Sequence, residues 1–208
     1  MQIDTMEAFN KGIKEYLGLA KYELIRTTYN DYDLSDKNTS ADFRKLFNGY
    51  YGIRYDEVWQ QEYYRIFQEM KVKENTEKEI SYEEIVCKIF SATRRVEKSF
   101  ASKMLATLNH ENPILDSRVE SCLRKLGVDL EETETIIECE WFESSFSDLD
   151  RTKLSSVILE YRNLVKWYKE GLKPDDANEL ITCFDKAFPE YMHFTEQRKI
   201  DYFLWLLG

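Results

Sequence analysis

Between Arg94 and Arg118 the chain gathers the side chains best suited to act on another molecule. Arg94, Arg95 and Lys98 crowd a short turn, and Ser99 follows it. Lys103 stands on the edge of an otherwise apolar helix, and Asp116 and Arg118 open the next helix. A cationic turn attracts anions, and a lysine near a carboxylate supplies the ingredients of acid–base work. Each residue also has a plain structural use. Asp116 ahead of Ser-Arg-Val is an N-cap that satisfies backbone donors, worth about 1 kcal/mol. Lys103 reads as a lysine that lays its stem along apolar surface and keeps its ammonium in water. Arg94 and Arg95 suit the negative C-terminal end of the preceding helix.

The charge around these residues is uneven. Residues 88–125 hold eight basic side chains against four acidic ones, a local net charge of +4. Residues 129–150 hold nine acidic side chains and no basic one. The whole chain carries −10, which argues against nonspecific nucleic-acid binding by the surface at large. A basic middle is therefore set against an acidic segment.

The elements that must position these residues read as helices. The 208 residues are 43% hydrophobic and 33% charged, enough for one domain with a real core. Seven glycines, three prolines and long periodic stretches favour helices over a many-turned β fold. Residues 4–28 read as a first helix, capped by Asp4 or Thr5. A second starts at Ser40, with Gly49 and Gly52 near its end. A third, 56–71, carries an aromatic and aliphatic stripe of Val58, Trp59, Tyr63, Ile66, Phe67 and Met70, which predicts core. After a charged linker, Ser81-Tyr-Glu-Glu84 reads as a capping box for a fourth helix. A fifth runs from about Val96 to Asn109. A sixth starts at Asp116 or Ser117 and ends before Gly127. Residues 129–147 are acidic and poorly periodic, an expected solvated excursion with Ile136, Ile137, Trp141 and Phe142 docking part of it. Asp148 or Asp150 opens a long helix to about Glu170. Another follows Pro174 to near Phe188, and Thr195 caps the last.

The expected architecture is all-α, a single domain over 1–208. Its subdivisions would be a helical part from 1–72 plus 148–208, a central part over 81–127 and the acidic excursion 129–147. No apolar run reaches membrane-spanning length, and no secretory signal follows Met1. Cys87, Cys122, Cys139 and Cys183 are scattered and read as free thiols of a reducing, cytoplasmic setting. The two histidines, His110 and His193, stand apart from soft ligands at metal spacing, so neither a metal nor another cofactor is expected. The four tryptophans read as core or rim packing.

Helix, short turn, helix, then an extended link ending in Asp at a helix start resembles the helix-hairpin-helix DNA glycosylase superfamily. The resemblance is closest to bacterial 8-oxoguanine glycosylase-like proteins. Ser99-Phe-Ala-Ser-Lys-Met-Leu resembles the second hairpin helix, and Pro113-Ile-Leu-Asp116-Ser-Arg-Val119 the stretch that carries the catalytic Asp. Lys199-Ile-Asp-Tyr-Phe-Leu-Trp205 resembles the final helix. The motif match covers roughly 35 residues. The resemblance implies a protein of base excision repair that binds double-stranded DNA and rotates a base out of the stack into a pocket. Asp116 would be the catalytic carboxylate and Lys103 an assisting amine. Arg94, Arg95, Lys98, Ser99 and Arg118 would contact DNA. The family's turn carries glycines, whereas this one reads Arg95-Val-Glu-Lys-Ser99, with Glu97 where phosphate would sit. That difference leaves room for a second expectation: a catalytically silent helical protein that binds DNA or a protein partner.

Overall fold

The computed structural model describes residues 16–76, 78–130 and 135–208, and among them every regular element is helical. The part of the first expected helix before Tyr16, with its cap at Asp4 or Thr5, lies outside the described residues. From Tyr16 that helix, α1, runs to Thr28 and is followed by a 3-10 turn, Tyr29–Asp31. Helix α2, Ala41–Tyr51, ends at Gly52, whose φ of 71° is the left-handed cap conformation that glycine adopts without a Cβ penalty. Helix α3, Glu57–Glu74, is capped by Asp56, which accepts from the Trp59 amide. Its predicted stripe is buried except for Val58, which is 77% exposed. Tyr64 takes a core place beside Tyr63. Rings of Phe43, Phe47, Tyr63, Tyr64 and Phe67 pack edge to face between α2 and α3.

Helix α4, Tyr82–Thr93, uses only half of the expected capping box. The Ser81 hydroxyl accepts from the Glu84 amide, but the buried Glu84 carboxylate pairs with Lys73 at the end of α3. A buried carboxylate gains more from an ammonium than from one backbone amide. Arg94 ends α4 at φ 57°, the one non-glycine residue at positive φ among those described. A side chain there costs about 1 kcal/mol.

Helix α5 is Lys98–Leu108 and α6 is Ser117–Lys125, closed by Gly127 at φ 76°. Helix α7, Asp148–Lys166, is capped by Ser147. Asp150 is its reciprocal partner, and of the two expected openers Asp148 is the first helical residue. It ends in a π-type turn, Trp167–Gly171. Helices α8, Pro174–Ala187, and α9, Glu196–Leu207, complete the chain, with Pro174 in the first turn of α8 and Thr195 capping α9. Helix α4 packs on α3, α5 and α7, and α9 packs on α6 and α8.

The described part of the acidic segment is more tightly joined to the core than its charge suggests. Leu130 and Phe146 are buried, and the Ile137 amide donates to Ser155 of α7. Ile136, expected to dock, is 52% exposed. No helix among the described residues is long and apolar enough to cross a membrane.

Candidate active site

A cavity of about 500 Å³ separates α1 and α2 from α5, α6 and α9. That volume falls in the range that encloses small ligands, roughly 300–1,000 Å³. Lys103 and Asp116 both line it. Both are 8% exposed, and Lys103 Nζ lies 3.9 Å from Asp116 Oδ2.

The approach of these two groups is fixed by the extended link before Asp116. Ser102, the residue before Lys103, accepts from the Leu115 amide at 3.0 Å and donates to the Leu115 carbonyl at 3.2 Å. Asp201 of α9 accepts from the Ile114 amide at 3.1 Å. With its backbone tied on both sides, Asp116 divides its carboxylate. Oδ1 accepts from the amides of Arg118 and Val119, both at 3.1 Å, while Oδ2 faces the lysine. The cap and the cavity-facing oxygen are thus two uses of one side chain.

Lys103 is poorly provided with partners. Besides Asp116 its ammonium meets the ring faces of Phe100 and Tyr51, at 5.2 and 5.5 Å from their centres. Burial lowers the pKa of this amine, and the Asp116 charge only partly opposes the effect. The neighbouring phenols of Tyr50 and Tyr51 are pushed upward by burial and stay neutral. A buried amine with a lowered pKa, next to a carboxylate in an aromatic cavity, can once deprotonated add to an electrophilic carbon.

A second ionic group lies in the same cavity wall. Arg198 Nη1 lies 3.2 Å from Asp201, and the guanidinium stands 5.0 Å over the Tyr22 ring. Asp201 also accepts from Tyr168, a residue of the π-type turn, and from Gln197. Burial raises the Asp201 pKa to about 6, against the pull of Arg198 and these donors. Sequence reading missed Arg198, Asp201, Tyr22 and Trp205 as cavity residues. The one available signal was an Arg and an Asp three residues apart in the last helix.

The residues expected to contact DNA meet varied surroundings. Arg94 is exposed and stands over the rings of Phe90 and Phe146 at 5.8 and 6.0 Å. Arg95 lies over Tyr55 at 4.6 Å and reaches Glu97 at 3.4 Å. Lys98 is held by Glu160 at 2.8 Å and Glu120 at 2.9 Å. Burial alone would lower its pKa, but the two carboxylates outweigh that and raise it. Ser99 is half-buried at the start of α5, and its carbonyl accepts from Ser102. Arg118 is exposed at the start of α6, 3.9 Å over the ring of Trp205, which lines the cavity. The structure therefore brings Lys103, Asp116 and, through Trp205, Arg118 to one site, and leaves Arg94, Arg95 and Lys98 at the α4–α5 turn.

Among the described residues no three metal-binding side chains come together. Comparison with protein families, with characterised proteins and with solved structures finds no match to this chain.

Proposed function

We propose that the protein is a DNA glycosylase-like enzyme that receives a base rotated out of a duplex into the cavity and releases it from its sugar. One observation carries this reading: Lys103 Nζ and Asp116 Oδ2 face each other at 3.9 Å inside a ligand-sized cavity. The α4–turn–α5 unit, followed by a pinned link and a capping Asp, supports the helix-hairpin-helix resemblance but does not by itself specify a reaction.

In this mechanism the bond between sugar C1′ and base nitrogen breaks, and the base leaves with the electron pair. Asp116 Oδ2 stabilises the positive charge that develops on the sugar. The Lys103 amine adds to C1′, forming a carbon–nitrogen bond, and its surplus proton passes through Asp116 to the departing base. Water then hydrolyses the sugar–lysine bond, restoring the amine. The aromatic walls exclude water and offer ring faces to a flat base.

The experiment is single-turnover base release from a panel of duplexes with damaged or modified bases, wild type against Asp116→Asn. Loss of release by about 10²–10³-fold with folding intact is the expected result. Equal rates for both proteins would sink Asp116 as the catalytic carboxylate.

A second reading is favoured by one specific observation. Asp116 is a complete helix cap, with two amides on Oδ1, so its conformation has a structural reason without any chemistry. On that reading the fold is catalytically silent and the cavity only binds. DNA binding without base release from any duplex would select it.

A further inference from the structure

We infer that the nucleic-acid backbone is held at the mouth of the Lys103–Asp116 cavity, by Lys21 of α1 and Arg118 of α6, and not at the α4–α5 turn. This rests on the reading of the cavity as the place that receives a base.

Two of the turn's three cations are already committed. Lys98 has two carboxylates within 2.9 Å, and Arg95 is paired with Glu97 and laid over Tyr55. Arg94 lies over two rings, and its charge acts on Glu143 and Asp150 across the surface. A phosphate approaching the turn would have to displace these carboxylates or stand beside them. Its gain would be offset by the repulsion of Glu97, Glu143 and Asp150.

The mouth is different in three independent respects. Lys21 is exposed, lines the cavity and makes no ion pair with a described carboxylate. Arg118 is exposed, and its guanidinium lies over the face of Trp205, a lining residue, with no ion pair to a described carboxylate. The two come from the opposite walls, α1 and α6, so phosphates on both sides of an inserted nucleotide have a cation to meet. Thirdly, Gly49 and Gly52 line the same cavity, and apart from their own neighbouring backbone no atom lies within 4 Å of where a Cβ would stand on either. Open space over bare backbone lets a bulky polymer come close. The chain's net −10 opposes wider contact, so the footprint is confined to these few cations.

Two phosphate contacts predict a shallow salt dependence, a slope near −1.8 for log affinity against log salt. The test measures binding of a short duplex carrying an abasic-site analogue, across a salt series, by fluorescence anisotropy. Lys21→Ala and Arg118→Ala should each reduce the slope by about 0.9, and the charge reversal Lys21→Glu should lose binding further. Arg94→Ala and Arg95→Ala should leave the slope unchanged. Binding whose slope responds to the turn variants and ignores the mouth variants overturns the inference while the base-receiving cavity stands. No binding by the wild type at low salt overturns both.

Discussion

Lys98 and Lys103 lie on one helix, five residues apart, and meet opposite surroundings. Five residues turn the helix by about 140°, so the two side chains leave α5 on different faces. Lys98 points to Glu120 and Glu160, which hold its proton in place. Lys103 points into an aromatic cavity, where burial loosens its proton and one carboxylate stands 3.9 Å away. The lesson is that cation content does not identify a reactive amine or a phosphate contact. What decides is how much of the charge the fold has already answered. The turn, the most basic stretch of the sequence, is largely answered, and the cavity is not.

The sharpest way to break that contrast is to remove Lys103. Lys103→Met keeps an unbranched apolar stem in the cavity and leaves Asp116 bonded to the Arg118 and Val119 amides. Base release should fall by about 10²–10⁴-fold with the helical circular dichroism unchanged. In the wild type, a small aldehyde with borohydride should label Lys103 before Lys98, read by peptide mass mapping. Labelling of Lys98 first, or full activity in Lys103→Met, would reverse the comparison.

A smaller effect is expected at Asp201, which pins the link that presents Asp116. Its folded pKa of about 6 lies above the ordinary aspartate value of 3.8. The protonated form is therefore the one that folding favours. The stability this group contributes is fully present below about pH 4 and is lost as pH rises through 6. The shift corresponds to a loss of up to about 3 kcal/mol. Urea unfolding of wild type and Asp201→Asn at several pH values should show the two proteins diverging between pH 4 and 6. Above that range the variant should gain relative to the wild type. Parallel curves would mean that Asp201 titrates alike folded and unfolded, leaving Arg198 to hold its charge.

Much of this fold was readable because local rules agree along the helices. Ser81, Asp116 and Thr195 cap where the sequence places caps, and Gly52 and Gly127 stop helices where glycine should. Local rules leave a choice where two residues satisfy them equally well. Asp148 and Asp150 both suit the opening of a helix; the helix starts at Asp148 because Ser147 caps it, with Asp150 as the reciprocal partner. The site was readable only in part. Lys103 and Asp116 stood out by type, but nothing local says that they face one cavity. That juxtaposition depends on Ser102 gripping Leu115, 13 residues on, and on Asp201 gripping Ile114, 87 residues back. Contacts at such separations leave no periodic trace, and for that reason Arg198, Asp201 and Trp205 were not read as residues of the cavity.

The smallest expected effect lies at the other end of the comparison, in Lys98. Its side chain is 32% exposed, so water screens part of the attraction to Glu120 and Glu160. Lys98→Ala should cost about 1 kcal/mol, read from urea unfolding near pH 7. The loss arises because two carboxylates on α6 and α7 then face each other without a cation between them. Because Asp116 caps α6, the same variant asks whether the turn end of α5 communicates with the cavity. If Lys98 serves only the packing of α5 against α6 and α7, base release per folded molecule stays within about two-fold of wild type. A drop comparable to that of Lys103→Met, at unchanged unfolding free energy, would place the reactive amine at the turn after all.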